Sequence, residues 1–320
     1  MKVTASSHQL QVAEPIHLEN GGQITSYTIQ YTTYGTLNQD QSNVVWVFHA
    51  LTGNSTVHEW WPGMIGEGLL LDPSNHFIIC ANMIGSCYGS HEPTSFDFPV
   101  LTIADQVKAF KVLKSHLAIE RIHIGIGGSM GGQQLVQWAF EEPHLFETIV
   151  PMATNAQHSP WGIAFNEAQR MALRQQDLEK GLEAARAIAM LSYRHYNTFQ
   201  NTQADVDSRS DDFAASSYLR YQGQKLQKRF SPYSYYFLSK AMDSQNLGRY
   251  SESVEVALGH IKARTIVIGI DTDLLFPVRE QELLAKHIPN ATLHVLSSDY
   301  GHDGFLVEVE KLTEVLREFI

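Results

Sequence analysis

Five glycines crowd a single serine in "HIGIGGSMGGQQLVQWAFEE", His123 to Glu142. Before them, Ile122 to Ile126 reads as a short buried strand. After them, Gln133 to Glu142 reads as a helix, with Leu135, Val136, Trp138 and Ala139 at its apolar positions. Between the two sits Gly127-Gly128-Ser129-Met130-Gly131, which fits G-x-S-x-G. Glycine on both sides of a serine permits a very tight strand-to-helix turn, because no Cβ obstructs the backbone. In such a turn the serine is strained and its hydroxyl projects clear of the sheet. The N–H of the next residue, Met130, then faces the same space near a helix N-terminus. This is the geometry of a nucleophile elbow. A Gly-rich phosphate loop or an ordinary tight turn can share so short a pattern, so the serine needs partners elsewhere.

The rest of the chain alternates strands and helices around this element. "IHLENGGQITSYTIQYTTYGTLN" (Ile16 to Asn38) reads as a hairpin turning at Asn20-Gly21-Gly22. "NVVWVFHA" (Asn43 to Ala50) is too apolar for a half-exposed strand and reads as a central parallel one. "HFIICANMIG", "FETIVPMAT", "ARTIVIGID" and "TLHVLSSDYGHDG" supply further strands. "TIADQVKAFKVLKSHLAI", "REQELLAKHI" and the closing "FLVEVEKLTEVLREFI" read as helices. From Gln157 to about Gly259 the sequence is helical in type with no convincing strand, and the alternation then resumes. That pattern predicts an α/β fold with a mostly parallel sheet, a core of residues 1–156 and 260–320, and an inserted helical lid at 157–259.

Composition narrows the function classes. The 320 residues are 43% hydrophobic and 18% charged, an ordinary globular balance. A net charge of −11 argues against nucleic acid or an anionic membrane surface as partner. Two cysteines spaced C-x6-C, Cys80 and Cys87, suit neither a disulfide framework nor a zinc pair, and no metal is expected. No stretch approaches 18 apolar residues and the first ten lack an apolar leader, so a cytoplasmic location is expected.

A serine hydroxyl is a poor nucleophile until a histidine removes its proton, and a carboxylate must hold that imidazole in the right tautomer. In parallel sheets such groups come from loops beyond strand C-terminal ends. After Thr265–Ile270 come Asp271 and Asp273; after Leu293–Leu296 comes His302, one of 15 histidines. The order Ser, Asp, His is that of α/β-hydrolase triads. Either aspartate can serve, since either can also cap a turn. The second N–H of an oxyanion hole, beside that of Met130, is expected from Leu51 in "HALTGN". His49 is expected to be structural.

"FHALTGNS", "WWPGMIGEG", "FIICANMIGSCYGS", "DFPVLTIADQV", "IGGSMGGQQ", "IAFNEAQR", "SYLRYQGQKL", "DTDLLFP" and "YGHDGFLVE" together resemble, in order, the homoserine O-acetyltransferase family. The resemblance runs from about residue 10 to residue 320. It implies an α/β-hydrolase fold with a helical lid, no bound cofactor, and an acyl-enzyme that moves an acyl group from acetyl-CoA (succinyl-CoA in some members) to an amino-acid hydroxyl. It implies a homodimer joined through the lid. Position by position, it makes Ser129 the nucleophile and His302 the base, and selects Asp273 because that aspartate precedes "LLFP". It assigns the substrate's ammonium to Asp303 and its carboxylate to a lid arginine, Arg194 first and Arg220 second. The chain departs from the family's pattern in two places. Only "HEPTSF" separates "CYGS" from "DFP", and "MALRQQDLEKGLEAARAIAM" replaces a stretch rich in glycine and aromatics. Donor and acceptor, homoserine or serine, therefore stay open. A serine esterase or thioesterase uses the same triad, and a silent scaffold dimerising through its lid is the reading from another class.

Overall fold

In the computed structural model, which describes residues 4–320, eight strands form one sheet. In spatial order they are β1 (Ala5–Val12), β4 (Tyr27–Tyr34), β6 (Phe77–Ala81), β5 (Val44–Phe48), β7 (Ile122–Gly128), β8 (Phe146–Met152), β9 (Arg264–Ile270) and β10 (Ala291–Leu296). From β6 to β10 every paired neighbour is parallel; β4 runs antiparallel to β6, and β1 antiparallel to β4. The sheet is mostly parallel, as the alternating pattern predicts.

The apolar strand β5 lies inside the sheet with all five residues buried. Successive side chains of a strand point to opposite faces. Val44, Trp46 and Phe48 join one core, where Trp138 meets Trp46 edge-on at 5.0 Å between ring centroids. Val45 and Val47 join the core on the other face, with Ile124, Ile126 and Phe305.

Helices flank the sheet: α1 (Val57–Trp60), α2 (Ile103–His116) and α3 (Met130–Glu141) precede β8. Between β8 and β9 the chain forms α4 (Pro160–Leu173), α5 (Leu178–Tyr193), α6 (Tyr196–Gln203), α7 (Ala214–Gln227), α8 (Pro232–Asp243) and α9 (Val254–Leu258). Then α10 (Val278–His287) links β9 to β10, and α11 (Gly304–Val307) and α12 (Val309–Leu316) follow β10. Helix starts follow local chemistry. Thr102 and Asp105 form a reciprocal capping box on α2, and Ser159 caps α4 ahead of Pro160. Among the described residues no helix is long and apolar enough to cross a membrane.

Two local expectations are corrected. The Ile16–Asn38 hairpin is only a two-residue ribbon, β2 (Ile16–His17) against β3 (Gln23–Ile24). The strand after it pairs instead with β1, which has no apolar alternation because its first five residues are exposed. The closing helix is broken at Glu308, whose ψ of 49° leaves the helical region and separates α11 from α12.

Parallel strands end on the same edge of a sheet. The pairings Phe48 with Gly127, Gly128 with Met152, and Ile270 with Leu296 bring the loops after β5, β7, β9 and β10 to one place.

Candidate active site

Ser129 stands between β7 and α3 with φ 57° and ψ −127°, a strained conformation for a residue with a side chain. Such strain costs on the order of 1–3 kcal/mol and persists only where neighbours hold it. Here Ser129 N donates to Met152 O at 2.9 Å, and Ser129 O accepts from Gln133 N at 3.1 Å and Thr154 Oγ1 at 2.7 Å. The glycines serve by their lack of bulk. A Cβ on Gly131 would stand 2.3 Å from the Phe48 carbonyl oxygen, and one on Gly127 would stand 2.7 Å from the Gly131 oxygen.

Three side chains from three loops meet there. His302 Nε2 lies 2.9 Å from Ser129 Oγ, and His302 Nδ1 lies 2.7 Å from Asp273 Oδ2. The other carboxylate oxygen of Asp273 accepts two backbone N–H groups, from Leu275 and Phe276, each at 2.8 Å. That fixes the carboxylate in rotation and leaves Oδ2 for the imidazole. Asp271 does something else: it is exposed, and its Oδ1 accepts Ser298 N at 3.0 Å, tying the loops after β9 and β10. The His302 ring is stacked on Phe276 at 5.2 Å and meets Phe305 at 5.4 Å. Burial pulls the His302 pKa down, but the carboxylates of Asp273 and Asp303 outweigh it, and the net displacement is upward. This is the charge environment of a base whose cation is stabilised as it forms.

Met130 opens α3, and the first N–H groups of a helix have no intrahelical acceptor. Leu51 lines the same cavity as Ser129. His49, beside it, is buried, and burial lowers its pKa to about 4. Its Nδ1 lies 2.9 Å from the Ala50 carbonyl oxygen, so it is a neutral structural group of the loop.

The cavity over Ser129 holds about 170 Å³ and includes Thr52, Trp60, Tyr193, His302, Asp303 and Leu306. Arg194 lies at the end of α5, with its Nε 3.0 Å from Asp303 Oδ2. That N–H has no aligned hydrogen-bond partner, so the contact is an ion pair, with each side chain about a fifth exposed or less. Arg194 lines a neighbouring recess with Asp273 and Thr272. Gly301, at φ 63°, lets the His302 turn press on the end of α5; a Cβ there would stand 2.9 Å from Tyr193 O. Arg220 is not at this site: it is exposed on α7, 3.7 Å from Asp212. Its position corrects the second choice for a carboxylate ligand.

Two arginines absent from the sequence reading do line the cavity, Arg186 and Arg229. Arg186 sits over the Tyr193 ring at 5.3 Å, and Tyr193 packs on His302 at 5.5 Å. Arg229 Nη1 donates to Thr52 O at 2.7 Å and to Tyr88 OH at 2.8 Å. In sequence both look like solvated helix-face charges. The one available signal for Arg186 was its place in the segment that departs from the family's pattern.

A family model described as "alpha/beta hydrolase fold" matches residues 43–309. The chain is similar to homoserine O-acetyltransferase of Cyclobacterium marinum, 46% identical over 96% of this chain and 93% of the relative. Among solved structures it is similar to homoserine O-acetyltransferase from Staphylococcus aureus, with TM-score 0.87, 26% identity, and 99% and 95% of the two chains covered. It is also similar in fold to esterase E22, with TM-score 0.89, 23% identity, and 99% and 100% covered.

Proposed function

The chain belongs to the homoserine O-acetyltransferase family, of α/β-hydrolase fold, and from that premise we propose that it moves an acetyl group from acetyl-CoA to the hydroxyl of homoserine. The observation that carries the mechanism is the pair of contacts joining Ser129, His302 and Asp273 at 2.9 and 2.7 Å. His302 Nε2 takes the Ser129 proton as Oγ attacks the thioester carbonyl. The Met130 and Leu51 N–H groups receive the oxyanion. The C–S bond breaks, and the CoA sulfur leaves with the proton held by His302. The homoserine hydroxyl then gives its proton to His302 and attacks the Ser129 ester. The new ester departs and Ser129 regains its proton.

The acceptor is a zwitterion, and Asp303 with Arg194 offers it one charge of each sign beside the base. The guanidinium takes the carboxylate and Asp303 takes the ammonium. Their mutual pairing keeps both side chains placed until the acceptor arrives. A plain esterase needs neither group, and this favours transfer over hydrolysis. Succinyl-CoA is the donor to compare, because Arg186 places a cation in the cavity that a second carboxylate can meet.

In this reading the helices of residues 157–259 form a lid over the site. Their exposed apolar side chains, Met171, Leu191 and Tyr196 among them, join two copies of a cytoplasmic biosynthetic enzyme. The test is thiol release from acetyl- and succinyl-CoA, with homoserine, with serine and with neither. Release that depends on homoserine and yields O-acetylhomoserine is expected. Equal release without any amino acid means a thioesterase.

A further inference from the structure

A cavity of about 170 Å³ is smaller than the ~300–1,000 Å³ that encloses a drug-sized ligand, so it takes only the acyl end of a coenzyme A thioester. The nucleotide, with its diphosphate and 3′-phosphate, must lie outside. Two sets of residues at the cavity differ in charge. Trp60 and Leu306, which line the cavity, also line a groove of about 1,100 Å³ carrying Glu308, Glu310, Glu314 and Glu318 against the single cation Arg317. That groove repels a polyanion. The cavity wall also receives Arg229, from the end of α7.

The α7 segment is unusual for a chain of net charge −11. From Phe213 to Phe230 it has no acidic residue and four cations, Arg220, Lys225, Lys228 and Arg229. Lys225, Lys228 and Arg229 are spaced i, i+3 and i+4, which gathers them on one face of the helix end. All three residues are exposed. Among the described residues Arg220 has a carboxylate partner, Asp212, whereas these three have none within ion-pair distance. A helix C-terminus carries only about half a negative charge, so three full cations exceed what the helix itself accounts for. Arg229 commits one nitrogen, Nη1, to Thr52 and Tyr88, which anchors the guanidinium at the cavity mouth and leaves its other N–H groups for a ligand.

We infer that Lys225, Lys228 and Arg229 form the docking site for the phosphates of the acyl donor's nucleotide, with the pantetheine arm passing Arg229 toward Ser129. The inference rests on the acyl-CoA reading above and assigns the donor a direction of entry. Phosphate recognition by exposed cations is long-ranged and screened by salt.

The test compares two acetyl donors, acetyl-CoA and S-acetyl-N-acetylcysteamine, which has the thioester but no nucleotide. In the double variant Lys225→Glu with Lys228→Glu, KM for acetyl-CoA should rise about tenfold with kcat nearly constant. The wild-type KM should rise with ionic strength, and the variant's should rise less. With the short thioester, kcat/KM should change less than twofold. A KM for acetyl-CoA that does not move, or a loss shared equally by both donors, overturns the inference. Wild-type enzyme that releases no thiol from acetyl-CoA overturns the parent reading and this inference with it. Wild-type turnover beside an unmoved variant KM overturns this inference alone.

Discussion

Replacing Asp273 by asparagine separates the orienting role of this carboxylate from its bulk. Oδ1 accepts the Leu275 and Phe276 N–H groups, both at 2.8 Å, so an asparagine places its own oxygen there. Its NH₂ then faces His302 Nδ1 across what is now a 2.7 Å contact. Two donors cannot share that gap, so the imidazole gives up its Nδ1 proton and carries one on Nε2. Nε2 is the atom 2.9 Å from Ser129 Oγ, and a protonated Nε2 cannot accept the serine proton. The equivalent change in serine proteases lowers kcat about 10⁴-fold. At 1.36 kcal/mol per decade that corresponds to about 5 kcal/mol of transition-state stabilisation. The assay is single-turnover thiol release from acetyl-CoA, followed against pH. Acylation needs neutral His302, so the wild-type rate should rise with pH to a midpoint above the ordinary imidazole value of 6.5. In the variant the carboxylate is gone while burial remains, so the midpoint should fall. Asp271→Asn, which touches only the Ser298 N–H, should cost less than about threefold. An Asp273→Asn enzyme retaining a tenth of its activity, or a larger loss at position 271, would mean that the Asp273 carboxylate does not orient His302.

Arg194→Ala and Asp303→Ala should each lower kcat/KM for the amino-acid acceptor by roughly 1.5–3 kcal/mol, the scale for losing a hydrogen bond to a charged group. Acylation by the donor alone should be less affected, so steady-state acceptor kinetics set beside single-turnover acylation decide the point. Folding stability should fall as pH drops from about 6.5 toward 4. His49 and His158 are neutral in the fold, with burial lowering both pKa values to about 4, while the unfolded chain protonates them near 6.5. Below 6.5 the unfolded state therefore binds more protons, and each such histidine contributes about 1.4 kcal/mol of destabilisation per pH unit across that window. Urea unfolding of wild type and His158→Gln at several pH values should give the smaller slope for the variant.

How far the sequence reached depended on how many physical signals each element carries. β5 was legible because a strand buried on both faces must be apolar throughout. The elbow was legible because its glycines answer to close backbone approaches that exclude a Cβ. β1 was not legible, since an exposed edge strand needs no apolar alternation and its hydrogen bonds come from Tyr27–Tyr34. Asp271 and Asp273 lie in one loop, and local sequence does not say which faces the imidazole. The backbone turn through Leu275 and Phe276 decides it. Arg186 and Arg229 were out of reach for a similar reason, because how an inserted helix packs over a sheet edge is a long-range property.

In the proposed reaction a covalent acetyl group forms on Ser129 and passes to an amino acid. The most direct measurement is intact-protein and peptide mass spectrometry after mixing the enzyme with acetyl-CoA alone, removing the donor, and then adding homoserine. One acetyl group should appear on the peptide containing Ser129, persist without acceptor, and be recovered as O-acetylhomoserine when homoserine is added; Ser129→Ala should show none. An enzyme that transfers acetyl groups at the normal rate with Ser129 never acylated, or an acetyl-enzyme that homoserine does not discharge, would rule out transfer through Ser129.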